Sequence, residues 1–192
     1  MRRAAVLAAL GLGLATPALP QGGAAGLEGF RAAALQADAF EIESSRLALE
    51  RSRNPAIRAH ARRMIQDHAR GTQELLSLPR AAPPGPLEGA ASALLGAVTG
   101  GAATAPGPVV LNARQTDMLG QLAPESGPAF DALYTQMQVT AHQEAVGLYT
   151  AYAQGGSDPA GRALAQQTLP TLQDHLRAAQ RLAAGRAHGP TR

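Results

Sequence analysis

One ten-residue pattern occurs twice in this chain. Residues 66–75 read Gln-Asp-His-x-Arg-x-x-Gln-x-Leu, and residues 173–182 read the same. Each copy lies downstream of a helix-start signal of one kind, Asn54-Pro55 before the first and Asp158-Pro159 before the second. Proline suits the first helical position, and an Asn or Asp just before it can accept a hydrogen bond from a free backbone N–H. A duplicated element of this kind restricts the chain to folds built twice. It puts His68 and His175 at related places in the two halves.

The apolar spacing around the pattern is helical. From about Leu27 to Arg51, the residues Phe30, Ala33, Ala37, Phe40, Ser44 and Leu47 recur at intervals of three and four, which is one face of a helix. Asn54-Pro55 ends this first helix, because the residue before a proline avoids helical geometry. Over residues 55–78 the stripe is Ile57, Ala61, Met64, His68, Gly71 and Leu75, which places His68 on the inward face. A short helix is expected over Ala113–Leu122, and a long one from Ser126 to about Gln154 with Phe130, Leu133, Met137, Ala141, Glu144 and Leu148 on one face. Gly155-Gly156 stops it. The last helix runs from Pro159 to Gly185, and its stripe of Leu164, Thr168, Leu172, His175, Ala179 and Leu182 again includes the histidine.

The short turns at 52–54 and 155–158 make each helix pair an antiparallel hairpin. Residues 79–111, rich in Ala, Gly and Pro, then have to carry the chain from one hairpin to the other, with a short helix available at Leu87–Val98. A helix of about 25 residues is roughly 37 Å long, and about a dozen extended residues span that length. The fold class expected is therefore all-α: a ferritin-like four-helix bundle of two repeated hairpins with a long crossover.

The N-terminus carries a separate signal. Arg2-Arg3, an uncharged run over 4–16 and Thr16-Pro17-Ala18 form the basic, apolar and small-residue regions of an export leader cut near Ala18. The expected layout is a leader at 1–18, a bundle at 27–184 and a tail at 185–192. Without Arg2 and Arg3, fifteen basic residues face fourteen acidic ones. Every basic side chain is Arg, none is Lys, and no polybasic run interleaves with aromatics, so nucleic-acid binding has no support. There is no Cys, which removes disulfides, iron–sulfur clusters and thiolate metal sites. Localisation is expected in the periplasm or cell envelope, with peripheral envelope association as the partner surface.

The residues that carry chemistry are Glu41 and Glu43 on the first helix, Asp67 and His68 on the second, His142 and Glu144 on the third long helix, and Asp174 and His175 on the last. Matching the halves at an offset near 100 sets Glu41 opposite His142. Carboxylates and imidazoles from all four helices are how ferritin-like bundles build metal sites. A di-iron centre needs Glu three residues before each histidine, and those positions hold Ile65 and Leu172. A mononuclear site from His68, His142 and His175 with Glu41 or Glu144 is the metal reading, with Fe, Zn or Cu as the ion. The alternative is a buried polar network in which His68 and His175 bond Glu41, Glu144 or Tyr134 and fix register without chemistry. His nitrogens more than about 6 Å apart exclude a shared ion, since the bonds are near 2.1 Å. His60 and His188 are expected on the surface, the tyrosines at the edge of the core, and the arginines on solvated faces paired with acids. Asp67 and Asp174 are expected to cap neighbours or face Arg. No Ser has a triad partner, so nucleophilic hydrolysis is unsupported.

Several segments together, namely Glu41-Ile-Glu43, Asn54-Pro55, Met64-Ile65-x-Asp67-His68, Gly127-Pro128-Ala129-Phe130-Asp131-x-x-Tyr134, Ala141-His142-Gln143-Glu144 and Leu169-Pro170-Thr171-Leu172-x-x-His175, resemble an exported bacterial family, domain of unknown function 4142. The resemblance spans about residues 27–183. It implies export and a ferritin-like helical fold, and it implies no activity. The function expected is a non-catalytic exported bundle that binds a partner or supports stress tolerance; the alternative is the metal-binding bundle described above.

Overall fold

The computed structural model describes residues 26–80 and 111–187. Among them are five α-helices and no strand: α1 (Leu27–Arg51), α2 (Pro55–Ser77), α3 (Ala113–Leu122), α4 (Gly127–Gly155) and α5 (Pro159–Ala187). The leader, the helix expected at Leu87–Val98, nearly all of the crossover and His188 lie outside the described residues. Helix α5 continues past Gly185, where a stop was expected. Among the described residues only Gly127 has a positive φ, 57°, so Gly185 supplies no left-handed cap. At Gly127 the left-handed backbone precedes Pro128 and starts α4, a conformation that other residues rarely adopt.

The starts of α2, α3 and α5 carry side-chain caps. Asn54 Oδ1 accepts from Ala56 N at 2.9 Å, and Asp158 Oδ1 accepts from Gly161 N at 2.7 Å. Asn112 and Gln115 form a reciprocal capping box at the start of α3. The two interhelical turns share a further device. Arg58 donates to the carbonyls of Leu49 and Ser52, and Arg162 donates to Gly156 O at 2.7 Å. Both arginines were expected to pair with acids; instead each reaches back one turn to satisfy carbonyls that the preceding helix leaves open. Arg31 does the same for the far end of α2, donating to Leu78 O at 3.0 Å and Pro79 O at 2.5 Å.

Helix α1 packs on α2 and α4, α5 packs on α4 and α2, and α3 lies against α1 and α4. The four long helices thus enclose one interior. Its apolar part is divided. One cluster holds Phe30, Ala34, Leu75, Tyr149, Tyr152 and Leu172, with the Phe30 and Tyr152 rings stacked at 4.0 Å. The other holds Phe40, Ile57, Ala61, Leu122, Phe130 and Tyr134. The buried polar side chains include Asp38, Glu41, His68, Gln138, His142 and His175.

The stripe on α2 is the expected one. On α1 and α4 the expected Phe30, Phe40, Ser44, Phe130 and Met137 are buried, but the buried face is broader than the expected stripe and takes in polar residues beside it. The buried residues of α1 include Phe30, Ala34, Asp38, Glu41, Ser45 and Ala48, and those of α4 include Phe130, Tyr134, Gln138, His142, Ala145 and Tyr149. An apolar-only search steps around Asp38, Glu41 and Gln138, which the fold buries. The tyrosines are core residues rather than edge residues: Tyr134, Tyr149 and Tyr152 are all buried.

The tight turn between α4 and α5 generates a stability test. A Cβ on Gly156 would stand 2.6 Å from the Tyr152 carbonyl oxygen, whereas a Cβ on neighbouring Gly155 meets nothing within 4 Å. Gly156→Ala is expected to lower stability in urea denaturation by about 1–3 kcal/mol through overpacking. Gly155→Ala is expected to leave stability unchanged or raise it.

Candidate metal centre

His68 comes from α2, His142 from α4 and His175 from α5, and all three are buried. Their ring centroids form a nearly equilateral triangle, with separations of 5.6, 5.4 and 5.4 Å. One ligand nitrogen from each lies within 4.8 Å of the other two. That is inside the limit at which a shared ion is excluded. Nitrogens bonded to one ion at about 2.1 Å stand at most about 4.2 Å apart, so small ring adjustments bring the three into range.

Each imidazole is held by its outer nitrogen. His68 Nδ1 donates to Asp38 Oδ1 at 2.8 Å, and Thr72 Oγ1 donates to the other oxygen of Asp38 at 3.1 Å. His142 Nδ1 donates to Gln138 O, one turn earlier in α4, at 2.9 Å. His175 Nε2 donates to Asp67 Oδ2 at 2.9 Å. A backbone carbonyl can only accept, so His142 Nδ1 carries the proton and Nε2 carries the lone pair. The carboxylates fix the other two rings in the same sense. The nitrogens left over, His68 Nε2, His142 Nε2 and His175 Nδ1, are buried and have no hydrogen-bond partner. Metal-binding histidines are oriented in this way, with one nitrogen on a carboxylate or carbonyl and the other free for the ion.

Electrostatics sort the three rings. Burial disfavours charge on all of them. At His68 the Asp38 hydrogen bond and the charges of Glu41, Asp38 and Asp67 outweigh burial, and the affinity for a proton is raised. At His142, burial and then the His68 charge push the pKa down to about 3. At His175, burial and then the His68 charge push it down to about 3, against the pull of Asp67. Asp67 is held below its ordinary range: burial opposes the shift, but the His175 hydrogen bond and Arg63 win. His142 and His175 are therefore held as neutral lone-pair donors at physiological pH, and His68 is the ring of the three on which a proton is favoured rather than disfavoured.

Glu41 lies beside the triangle. Its Oε1 is 3.4 Å from His142 Nδ1, and its Oε2 accepts from Gln138 Nε2 at 2.5 Å. Burial, opposed by the His68 charge and the Gln138 hydrogen bond, raises its pKa to about 7. Glu144, the other carboxylate expected at the site, is not brought to it. It is exposed and accepts from Arg114 at 2.6 Å. Two residues along a helix rotate a side chain by about 200°, so Glu144 points away from the direction His142 takes.

The polar-network partners expected for the histidines also differ. Tyr134 bonds Ser45 at 3.0 Å, while Asp38 and Asp67 take the roles assigned to Glu41, Glu144 and Tyr134. Asp174 does face an arginine, Arg177. His60, expected on the surface, is buried with its Nε2 on Gln138 Oε1 at 3.2 Å. Sequence reasoning missed Asp38 and Gln138. The available signal was helical spacing, since Asp38 precedes Glu41 by three and follows Ala34 by four, so one stripe contains all three.

These shifts set a pH optimum for the metal-free protein. His142 and His175 bind protons less readily folded than unfolded, so stability rises with pH from about 3 to 6.5. Glu41 binds its proton more readily folded, which withdraws stability between 4.5 and about 7, one group against two. His68, raised above 6.5, withdraws stability beyond that point. Thermal melting across pH is expected to show a maximum near 6.5, and His142→Leu is expected to flatten the acid limb.

The fold has relatives among solved structures. CopM in its Cu(II)-bound form superimposes with a TM-score of 0.59 at 15% identity, covering 84% of this chain and 98% of that one. A protein described as secreted, DUF305 from Streptomyces coelicolor, gives a TM-score of 0.59 at 14% identity, covering 84% of this chain and 94% of that one. At these identities the likeness concerns the fold. No curated protein matches the chain. No helix among the described residues is long and apolar enough to cross a membrane. A family profile matches residues 14–182, and by that match the chain belongs to the family described as Domain of unknown function (DUF4142).

Proposed function

We propose that this protein is an exported, ferritin-like helical bundle that binds one transition-metal ion through His68, His142 and His175. The observation that carries this reading is the set of three buried ring nitrogens without partners, each on an imidazole tethered from behind. A polar network built only for register would use those nitrogens, because leaving a buried polar atom unpaired costs about 1–3 kcal/mol. The donor set is all imidazole. Imidazole suits Cu, Zn, Fe and Ni, and at a given nitrogen site divalent affinity peaks at copper. Copper is therefore the foremost candidate. The fold relative CopM, which is Cu(II)-bound, supports the same choice. The leader at the N-terminus and the secreted DUF305 relative support export. No nucleophile with a base, and no pair of bridging carboxylates, gives the site a reaction. The role proposed is binding, as sequestration or buffering of the ion.

Titration of the metal-stripped protein with Cu(II) is expected to show one equivalent bound, with nitrogen hyperfine structure in the electron paramagnetic resonance spectrum. His142→Leu is the informative variant, because it removes a ligand whose tether is a carbonyl of its own helix and strands no charge. It is expected to abolish stoichiometric binding while the fold persists. Wild-type protein that takes up no copper, zinc or iron would leave the polar network as the correct account. Asp67→Asn is expected to retain binding with affinity reduced about 10–100-fold, the usual effect of losing a group that orients a ligand. Affinity is expected to rise with pH, because protons compete with the ion for the ring nitrogens, most strongly at His68, whose proton affinity is raised.

A further inference from the structure

The seam between α2 and α5 carries a second feature. Two helical turns from His68 and His175, at the N-terminal end of α2, a groove of about 390 Å³ opens between the helices. It is lined by Ala56, Ala59, His60, Arg63, Ala178, Arg181 and Leu182. Its floor is apolar apart from the ring of His60, and its two charged lining residues are both arginines. No lining residue is acidic. Arg181 makes no ion pair among the described residues. Arg63 pairs with Asp67, its Nε 3.3 Å from Oδ2, and its side chain remains half exposed.

We infer that this groove binds a small organic carboxylate, with its oxyanion between the Arg63 and Arg181 guanidiniums and its carbon body on Ala56, Ala59, Ala178 and Leu182. Guanidinium forks match a carboxylate two bonds at a time, and an apolar floor with a few charged groups at one end is the usual composition of small-ligand sites. The volume lies within the lower part of the usual range for small-molecule sites and admits a molecule of benzoate's size. The site is tied to the triangle through one residue. The Asp67 oxygen that accepts from Arg63 also accepts from His175 Nε2. A carboxylate that draws Arg63 into the groove leaves that Asp67 oxygen to His175 alone, while Arg70 stays 3.8 Å from the other oxygen. Asp67 then polarises that ring more strongly, and its free nitrogen becomes a better donor. Bound carboxylate therefore tightens ion binding at the triangle. This second step rests on the metal reading; the groove itself does not.

The test uses the full mature protein and benzoate as probe, a carboxylate that competes little for metal. On metal-stripped protein, benzoate at millimolar concentration is expected to shift the arginine side-chain resonances of Arg63 and Arg181 saturably, and Arg181→Gln is expected to weaken binding about tenfold through loss of one guanidinium fork. Inorganic phosphate is the control for charge alone. If phosphate binds as well as benzoate, the apolar floor plays no part and the assignment to organic acids fails. If neither binds more than chloride does, the groove assignment fails altogether. On copper-loaded protein, saturating benzoate is expected to raise copper affinity several-fold in the wild type and leave it unchanged in Asp67→Asn, which keeps the groove but cuts its link to His175. Unchanged copper affinity in the wild type overturns the coupling. Benzoate binding in a protein that takes up no metal would keep the groove while removing the proposed function.

Discussion

Three imidazoles buried with one bare nitrogen apiece are an expensive thing for a small bundle to hold. Each unpaired atom costs about 1–3 kcal/mol, and a domain of this size has roughly 5–15 kcal/mol of net stability in all. The arrangement persists because every ring is anchored on its other side. Asp38 holds His68, the Gln138 carbonyl holds His142, and Asp67 holds His175. The anchors prevent the rings from turning to find partners of their own. The rest of the interior is arranged around that constraint.

The apolar core accordingly comes in two clusters. Stacked rings of Phe30 and Tyr152 belong to one and stacked rings of Phe130 and Tyr134 to the other. Tyr134 satisfies its hydroxyl on Ser45, so the ring serves the core without leaving a polar atom stranded. The helix ends are closed by arginines as well as by caps. In a chain without lysine, the guanidinium does work elsewhere divided between two residue types. Arg31, Arg58 and Arg162 bond main-chain carbonyls, and Arg63 and Arg177 pair with acids.

Much of this was legible in the residues. Proline and its preceding Asn or Asp marked the starts of α2 and α5, and the four-and-three spacing of α2 placed His68 inward. The repeated Asp-His put a second imidazole at the matching height of α5. Glu41 fell opposite His142, as the offset between the halves required. The failures have one physical source. Periodicity read from apolar residues alone cannot see a stripe that turns polar where it crosses a site. On α1 the apolar spacing omits Asp38, and on α4 it finds Met137, which is buried, but omits Tyr134 and Gln138. The same bias carried Glu144 inward and left His60 outside, when a 200° rotation and a buried amide partner decide otherwise. Asp67 was assigned to arginine, which is half correct, because its carboxylate serves Arg63 and His175 at once.

The anchoring of His142 differs from that of its neighbours. Its tether lies in its own helix, one turn back, while His68 and His175 are moored to side chains of other helices, α1 and α2. Helix α4 therefore sets the orientation of its ring alone, whereas the other two rings depend on how α1, α2 and α5 are registered against one another. The closest helix packing is within the α1–α2 and α4–α5 hairpins, so a cation seated among the rings would act as a rivet between the two hairpins.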